Sequence, residues 1–103
     1  QALERQKGHE DEATVAFNQV FQALSQNLQA GLPATAAENQ EQAAKLLRAI
    51  RTYGFDCSIE VFGYIGKGYV YNPEFKENID KFGTGTAQYT SDVIAHYVQT
   101  QTK

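Results

Sequence analysis

The chain has 103 residues, a formal net charge of −3 and a single cysteine. It has no cluster of Lys and Arg, which argues against nucleic-acid binding by this segment, and no apolar stretch of the roughly 20 residues that a membrane helix needs. Its hydrophobic and charged fractions, 42% and 20%, are typical of one globular domain, so residues 1–103 are predicted to form a single domain.

The first predicted helix extends from Ala13 to Leu28, because apolar side chains recur there every three or four residues. The pattern continues upstream only weakly, since Gly8 interrupts it. Gly31 and Pro33 end the helix, Gly as a left-handed cap and Pro as a block to continuation. The opening residues carry no initiator Met and no signal peptide, so we expect the C-terminal part of a longer, cytoplasmic protein.

The second and third predicted helices each begin at a polar cap. Thr35 and Glu38 have the spacing of a capping box, which predicts a second helix that closes near 53–54. Asp56 or Ser58 then caps a third helix. Both alternatives remain open from the sequence alone.

The last two predicted helices are separated by a glycine-rich break. Asn72 and Pro73 form a cap followed by proline at the first helical position, so a short fourth helix extends to about Phe82. Residues 83–86 interrupt it, and a fifth helix begins at Ala87. The predicted fold class is therefore all-α, with five helices.

Residues that could support catalysis or hold a metal are scarce. Residues 9–12 (His-Glu-Asp-Glu) include ligand types on one helix face, but a charged run on a helix is most often solvent-exposed. His96 lies far from them, so no zinc spacing exists. Cys57 has no His near it in sequence. We therefore predict no metal, no cofactor and no enzymatic activity.

Cys57 itself allows two interpretations. At the first turn of the third helix, the helix dipole would favour its thiolate, while the charge of Asp56 would oppose it. Alternatively, Cys57 is a small buried apolar residue, as most free cysteines are.

The third helix also contains Gly63, Gly66 and Gly68, each costing about 1 kcal/mol relative to Ala. Lys67 lies among them without the spacing of a phosphate-binding loop. Either another helix packs closely against these glycines, or they leave room for a ligand.

Aromatic residues are abundant around the third helix and in the two helices after it; the chain has six Tyr and six Phe. Phe62, Tyr64 and Tyr69 cannot all face one side of a helix with 3.6 residues per turn. Thr86 and Thr90 share a face with apolar residues of the last helix, so polar groups should point inward. A pocket that is apolar but also offers hydrogen bonds is therefore predicted.

The C-terminal half resembles the TipAS family of antibiotic-recognition domains. The matching features are an aromatic segment ending in Cys, a following Glu, Tyr-Val, a turn of the Asp-Pro-x-Phe type, an Asn-x-Asp step, a Gly-x-Gly break and a final amphipathic helix. Here they fall on Phe55, Cys57, Glu60, Tyr69, Val70, Asn72, Pro73, Phe75, Asn78, Asp80, Gly83, Gly85 and the helix from Ala87.

The resemblance implies a globin-like, all-α domain that captures antibiotics or other bulky drugs in a cleft. In some members it is the effector-sensing half of a MerR-type regulator, and in others it is a free-standing protein that sequesters the drug. In the thiopeptide-binding member, the cysteine corresponding to Cys57 bonds covalently to a dehydroalanine of the drug.

Departures from the family pattern indicate the ligand. Between the cysteine and the Tyr-Val pair, the family often has His, Gly and Met. At those positions this chain has Phe62, Tyr64 and Gly68. These replacements favour flat ligands and resemble the albicidin-binding resistance proteins of the family, whose ligand is a chain of aminobenzoic-acid units. Such a ligand lacks an obvious acceptor for a thiol.

We therefore predict a domain that binds and sequesters an albicidin-like antibiotic and so confers resistance. The predicted lining comprises Tyr53, Cys57, Val61, Phe62, Tyr64, Tyr69, Asn78, Phe82, Gln88 and Tyr89. The alternatives are the sensory domain of a MerR-type regulator with an upstream domain in the same chain, and a helical domain whose aromatic residues bind a protein partner.

Overall fold

The computed structural model describes the backbone of residues 2–101 and the side chains of residues 12–101. Within these residues it contains five α-helices and no strand, which confirms the predicted all-α class. In chain order they are α1 (Ala2–Gln29), α2 (Ala37–Tyr53), α3 (Ile59–Tyr71), α4 (Pro73–Asp80) and α5 (Thr86–Gln101). In this part of the chain, none of the helices combines the length and apolar character required to cross a membrane.

The first two helices depart from the predicted boundaries. The α1 helix continues upstream through Gly8. The capping box was wrong: Ala36 is the N-cap residue of α2 and makes no side-chain cap hydrogen bond. Thr35 lies one residue before the N-cap, inside a turn in which the amide of Ala36 donates to the carbonyl of Pro33 (3.0 Å).

The caps of α3 and α4 follow their sequence signals. Of the two alternatives for α3, the structure selects Ser58, whose hydroxyl accepts a hydrogen bond from the amide of Val61 (3.2 Å). The side chain of Asn72 accepts from the amide of Glu74 (3.0 Å) at the start of α4, as predicted. Because Asn72 also ends α3, the chain turns from α3 into α4 at one residue.

The α5 helix is central, since it packs against each of the other four helices. Thr86 and Thr90 on it are fully buried, which confirms that polar groups of this helix point inward. The hydroxyl of Thr86 donates to the carbonyl of Gly83 (2.6 Å). Around α5, the core also includes Leu24, Leu46 and Phe62.

The glycines of α3 have different surroundings. A Cβ atom at Gly66 would lie 2.8 Å from a methyl carbon of Ile94, so α5 packs directly against the backbone of α3 at this point. At Gly63 the nearest atom would belong to Val98, at 3.6 Å. Gly68 has nothing within 4 Å. Close helix packing therefore explains Gly66, the position at which a side chain fits least.

A buried polar network joins the α1–α2 loop to α5. The amide nitrogen of Asn39 donates to the Tyr89 hydroxyl (2.6 Å) and to the carbonyl of Pro33 (2.9 Å). The Tyr89 hydroxyl donates to the carbonyl of Leu32 (2.7 Å), and Asn27 donates to the side-chain oxygen of Asn39 (3.0 Å). The polar atoms of Asn39 and Tyr89 are thus satisfied inside the protein.

Candidate ligand-binding site

A groove lies where α1 diverges from α3 and α4. The α1 helix packs closely against α2 and α5 but makes few approaches to α3 and α4. The space left between them has a volume of about 310 Å³, and we call it the α1–α4 groove. Its eight lining residues are Phe17, Asn18, Phe21, Tyr69, Phe75, Asn78, Ile79 and Phe82.

Aromatic rings dominate the walls of the groove. The ring centre of Phe21 lies 5.7 Å from that of Tyr69, edge to face, and 6.1 Å from that of Phe82. Tyr69 in turn meets Phe75 at 5.9 Å, also edge to face. Because these rings brace one another through edges and tilted faces, the groove is an aromatic slot suited to stacking with a flat ligand.

Polar side chains from α1, α3 and α4 also reach the groove. Asn18 and Asn78 are exposed lining residues, and the side-chain oxygen of Asn78 accepts from the ammonium of Lys81 (3.3 Å). Among residues 12–101, neither Asn18 nor the Tyr69 hydroxyl has a hydrogen-bond partner. A side-chain amide donates and accepts, so the groove can recognise the amide groups of a ligand.

Contacts behind the groove hold Phe82 in place. The hydroxyl of Ser25 on α1 donates to the carbonyl of Phe82 (2.8 Å), and the side chain of Gln29 donates to the same hydroxyl (3.3 Å). A Cβ atom at Gly83 would collide with the Ser25 hydroxyl, so a residue without a side chain is required beside this contact.

Asp80 joins the end of α4 to the start of α5. Its carboxylate accepts from the amide of Ala87 (2.9 Å) and from the ammonium of Lys76 (3.0 Å). Burial alone would raise the pKa of Asp80, but these two donors and the amide of Gly85 outweigh it and hold the pKa below its usual value. The charged carboxylate therefore helps to position α4, which supplies one wall of the groove.

Cys57 lies behind the wall of the groove and does not line it. Its side chain is 1% exposed and it precedes the Ser58 cap, so of the two interpretations the structure supports the small buried residue and not a position in the first turn of α3. Burial raises the pKa of the Cys57 thiol, and the negative charge of Asp56 raises the pKa further. The positive charge of Arg51 partly offsets this rise. Burial, together with the charge of nearby Cys57, raises the pKa of Tyr69 to about 12. Cys57 therefore behaves as a small core residue.

Iodoacetamide should react with Cys57 at least about 100-fold more slowly in the native protein than in denaturant, because the thiol is both buried and protonated. Mass spectrometry of the alkylated chain at successive times measures both rates. An Asp56→Cys/Cys57→Ser double variant moves the thiol one residue to an exposed position and should react rapidly without denaturant. Equal native rates for the parent and the double variant would contradict the buried placement.

The structure brings three of the predicted lining residues into the groove, namely Tyr69, Asn78 and Phe82. Two others serve the core. Phe62 is fully buried and packs edge to face against Tyr97 at 6.0 Å, and Tyr89 belongs to the Asn39 network.

The remaining predicted side chains of this set do not line the groove either. Tyr53, Val61 and Tyr64 are exposed on the surface. Gln88 is also exposed and donates to Asp92 (3.0 Å). The cavity therefore lies on the α1 side of Tyr69, and Phe62 and Tyr64, the first two rings after Cys57, do not line it.

Five lining residues were absent from the predicted site: Phe17, Asn18, Phe21, Phe75 and Ile79. In the sequence, Phe17 and Phe21 look like ordinary members of the apolar stripe of α1. Their one distinguishing signal is that they are two rings, four residues apart, in a stripe otherwise made of Ala, Val and Leu. The ring of Phe21 meets those of Tyr69 and Phe82, which lie 48 and 61 residues further along the chain, so that signal becomes meaningful only in three dimensions.

The histidine and acidic run at 9–12 lies largely outside the described side chains, which begin at Glu12. Among the side chains that are described, no group of three or more His, Cys, Asp and Glu is placed to hold a metal ion.

Comparison with known proteins identifies a family and a similar solved structure. The model of the TipAS antibiotic-recognition domain matches residues 1–97. TipAS from Streptomyces lividans, part of a thiopeptide antibiotic multidrug resistance system and solved in complex with nosiheptide, has 27% sequence identity and a TM-score of 0.80. The match covers 90% of this chain and 62% of that one, so this chain spans less than two thirds of the solved protein. No curated protein matches the sequence.

Proposed function

We propose, because the chain belongs to the TipAS family of antibiotic-recognition domains, that it binds a flat, amide-linked aromatic antibiotic in the α1–α4 groove. We propose albicidin as the ligand of this domain. The domain holds the drug without transforming it, lowers its free concentration in the cytoplasm and thereby confers resistance.

The observation that carries this proposal is the set of five rings around a cavity of about 310 Å³ that also presents two side-chain amides. An apolar, aromatic cavity with a few well-placed polar groups is the usual form of a small-molecule site. A chain of aminobenzoic-acid units alternates rings with amides, so its rings can stack on Phe21, Phe75 or Phe82 while its amides reach Asn18 and Asn78. The nosiheptide complex of TipAS supports antibiotic binding in general, and the aromatic slot favours the flatter ligand.

The affinity of such a site depends on how far its lining side chains are preorganised before the ligand binds. Each ring pair contributes about 0.5–1.5 kcal/mol beyond the area it buries. Nanomolar binding requires about −12 kcal/mol, which several stacked rings supply only when little ordering is needed. The Ser25 contact with Phe82 and the Asp80 contacts between α4 and α5 provide that ordering.

Capture by this groove is non-covalent. Cys57 is buried and does not line the groove, and the phenol of Tyr69 stays neutral because its pKa is about 12. The lining contains no other titratable side chain and no nucleophile activated by a neighbouring base. These features support a binding protein over an enzyme.

Replacing Phe75 with leucine should weaken albicidin binding about tenfold, because one stacking ring is lost while an apolar side chain remains. Phe55→Leu is a matched control: both rings are 51% exposed, but Phe55 is not part of the groove. Isothermal titration calorimetry gives the affinity, and tyrosine fluorescence gives a second readout, since the chain has no Trp.

The same titrations separate the alternatives. Equal losses in the Phe55 and Phe75 variants would contradict the groove as the site. Tighter binding of nosiheptide than of albicidin would contradict the assignment of a flat ligand. No heat and no fluorescence change with either drug would contradict antibiotic binding itself.

A further inference from the structure

A second surface feature lies between α3 and α5 and shares no residue with the α1–α4 groove. It is a shallow depression bordered by Glu60, Gly63, Tyr64, Lys67, Ser91 and Ala95, and we call it the α3–α5 face. The Tyr64 side chain on it is 69% exposed, more than most large apolar side chains among residues 12–101. The ring of Tyr64 therefore projects from α3 beside a depression.

Two charged side chains, Glu60 and Lys67, border this face. Glu60 and Lys67 are seven residues apart, which places them on the same side of α3 but about 10.5 Å apart along its axis. That separation is too great for an ion pair between them, and neither has an ion-pair partner among residues 12–101. The ammonium of Lys67 lies 5.6 Å from the centre of the Tyr64 ring. Along the axis of α3, the face therefore presents the carboxylate of Glu60, the ring of Tyr64 and the ammonium of Lys67 in that order.

We propose that the α3–α5 face is the interface between two copies of this chain, with the two α3 helices antiparallel. A two-fold axis that passes between Gly63 and Tyr64 sets Glu60 opposite Lys67 of the partner subunit, and Lys67 opposite Glu60 of the partner subunit. Because Glu60 and Lys67 carry opposite charges at equal distances from this axis, the face of one copy is complementary in charge to the same face of the other. An isologous interface requires such self-complementarity.

The shape of the face fits the same arrangement. Ser91 and Ala95 have short side chains, so a side chain of the partner can enter the depression, whose floor beside Gly63 is formed by Val98. The exposed ring of Tyr64 of the partner subunit is the projection that fills it, and Tyr64 of the first subunit fills the partner's depression in return. Tyrosine is among the residues enriched at the centres of such interfaces. This proposal is independent of antibiotic binding, because it uses none of the groove residues.

The oligomeric state of the full 103-residue chain tests the proposal. Sedimentation velocity between about 10 µM and 1 mM at low ionic strength should show a reversible monomer–dimer equilibrium, and added salt should weaken it. Lys67→Glu should raise the dissociation constant at least about tenfold, because four carboxylates then face one another. The double variant Glu60→Lys/Lys67→Glu should restore association, since it exchanges the two signs without changing the net charge.

Lys45→Glu is the matched control, because it changes the net charge by the same amount at an exposed position of α2. It should leave the dissociation constant within about threefold of the parent value. A parent chain that stays monomeric at 1 mM overturns the proposal and leaves the face to a different partner. A dimer that Lys67→Glu does not weaken, or that the double variant does not restore while circular dichroism shows intact helices, overturns it as well.

Discussion

Replacing Asn39 with alanine should lower the free energy of unfolding by about 3 kcal/mol. Asn39 is fully buried, and its amide bonds the side chains of Asn27 and Tyr89 and the carbonyl of Pro33. Removing it leaves three polar groups with one partner fewer. A hydrogen bond contributes about 1 kcal/mol, and a buried group without a partner costs about 1–3 kcal/mol.

Urea denaturation followed by circular dichroism measures the effect. Asn27→Ala serves as the control, because it removes only the contact at the edge of the network and should cost about 1 kcal/mol. If the two variants lost the same free energy, the Asn39 side chain would not be the centre of the network. A loss below about 1 kcal/mol for Asn39→Ala would show that the loop holds to α5 by apolar contacts alone.

The second effect should come from Gly66→Ala, which we expect to lower the free energy of unfolding by about 1–2 kcal/mol. The added methyl group would lie 2.8, 3.0 and 3.2 Å from three side-chain carbons of Ile94. One of these is the Cβ atom, which cannot rotate away, so α5 must shift. Overpacking of a core costs about 1–3 kcal/mol, partly offset by the roughly 1 kcal/mol by which Ala favours helix over Gly.

Gly68→Ala is the matched substitution two residues further along α3, where the methyl group meets nothing within 4 Å. There the helix propensity acts alone, so the free energy of unfolding should rise by about 1 kcal/mol. Thermal and urea unfolding of both variants compare the two positions directly. Effects of the same sign at Gly66 and Gly68 would contradict the close approach of α3 and α5.

These two sites also bear on the groove. The Asn39 network holds the α1–α2 loop to α5, and the Gly66 contact holds α3 to α5. The groove lies between α1 on one side and α3 and α4 on the other. Since α5 is the helix that both walls share, either substitution should weaken ligand binding even though neither residue touches the cavity.

Local signals in the sequence were sufficient for the helices. Apolar spacing located α1, and polar caps with glycine and proline breaks located the other four; Asn72–Pro73 begins α4 as predicted, and Ser58 is the one of two proposed caps that begins α3. The capping box at Thr35 failed because Thr35 belongs to a turn between Pro33 and Ala36 that precedes the helix, and residue types alone do not show where such a turn ends and the helix begins. The motif resemblance identified the family, which the match over residues 1–97 shows.

The candidate site was decided by the tertiary structure. Tyr69, Asn78 and Phe82 could be chosen from the sequence because they lie in the aromatic C-terminal half, but Phe17 and Phe21 looked like core residues of α1. Whether a ring fills the core or lines a cavity depends on the distance between two helices. The spacing of apolar residues along one helix does not predict that distance. Helix periodicity therefore determined which faces turn inward, while the divergence of α1 from α3 and α4 determined where the inside is hollow.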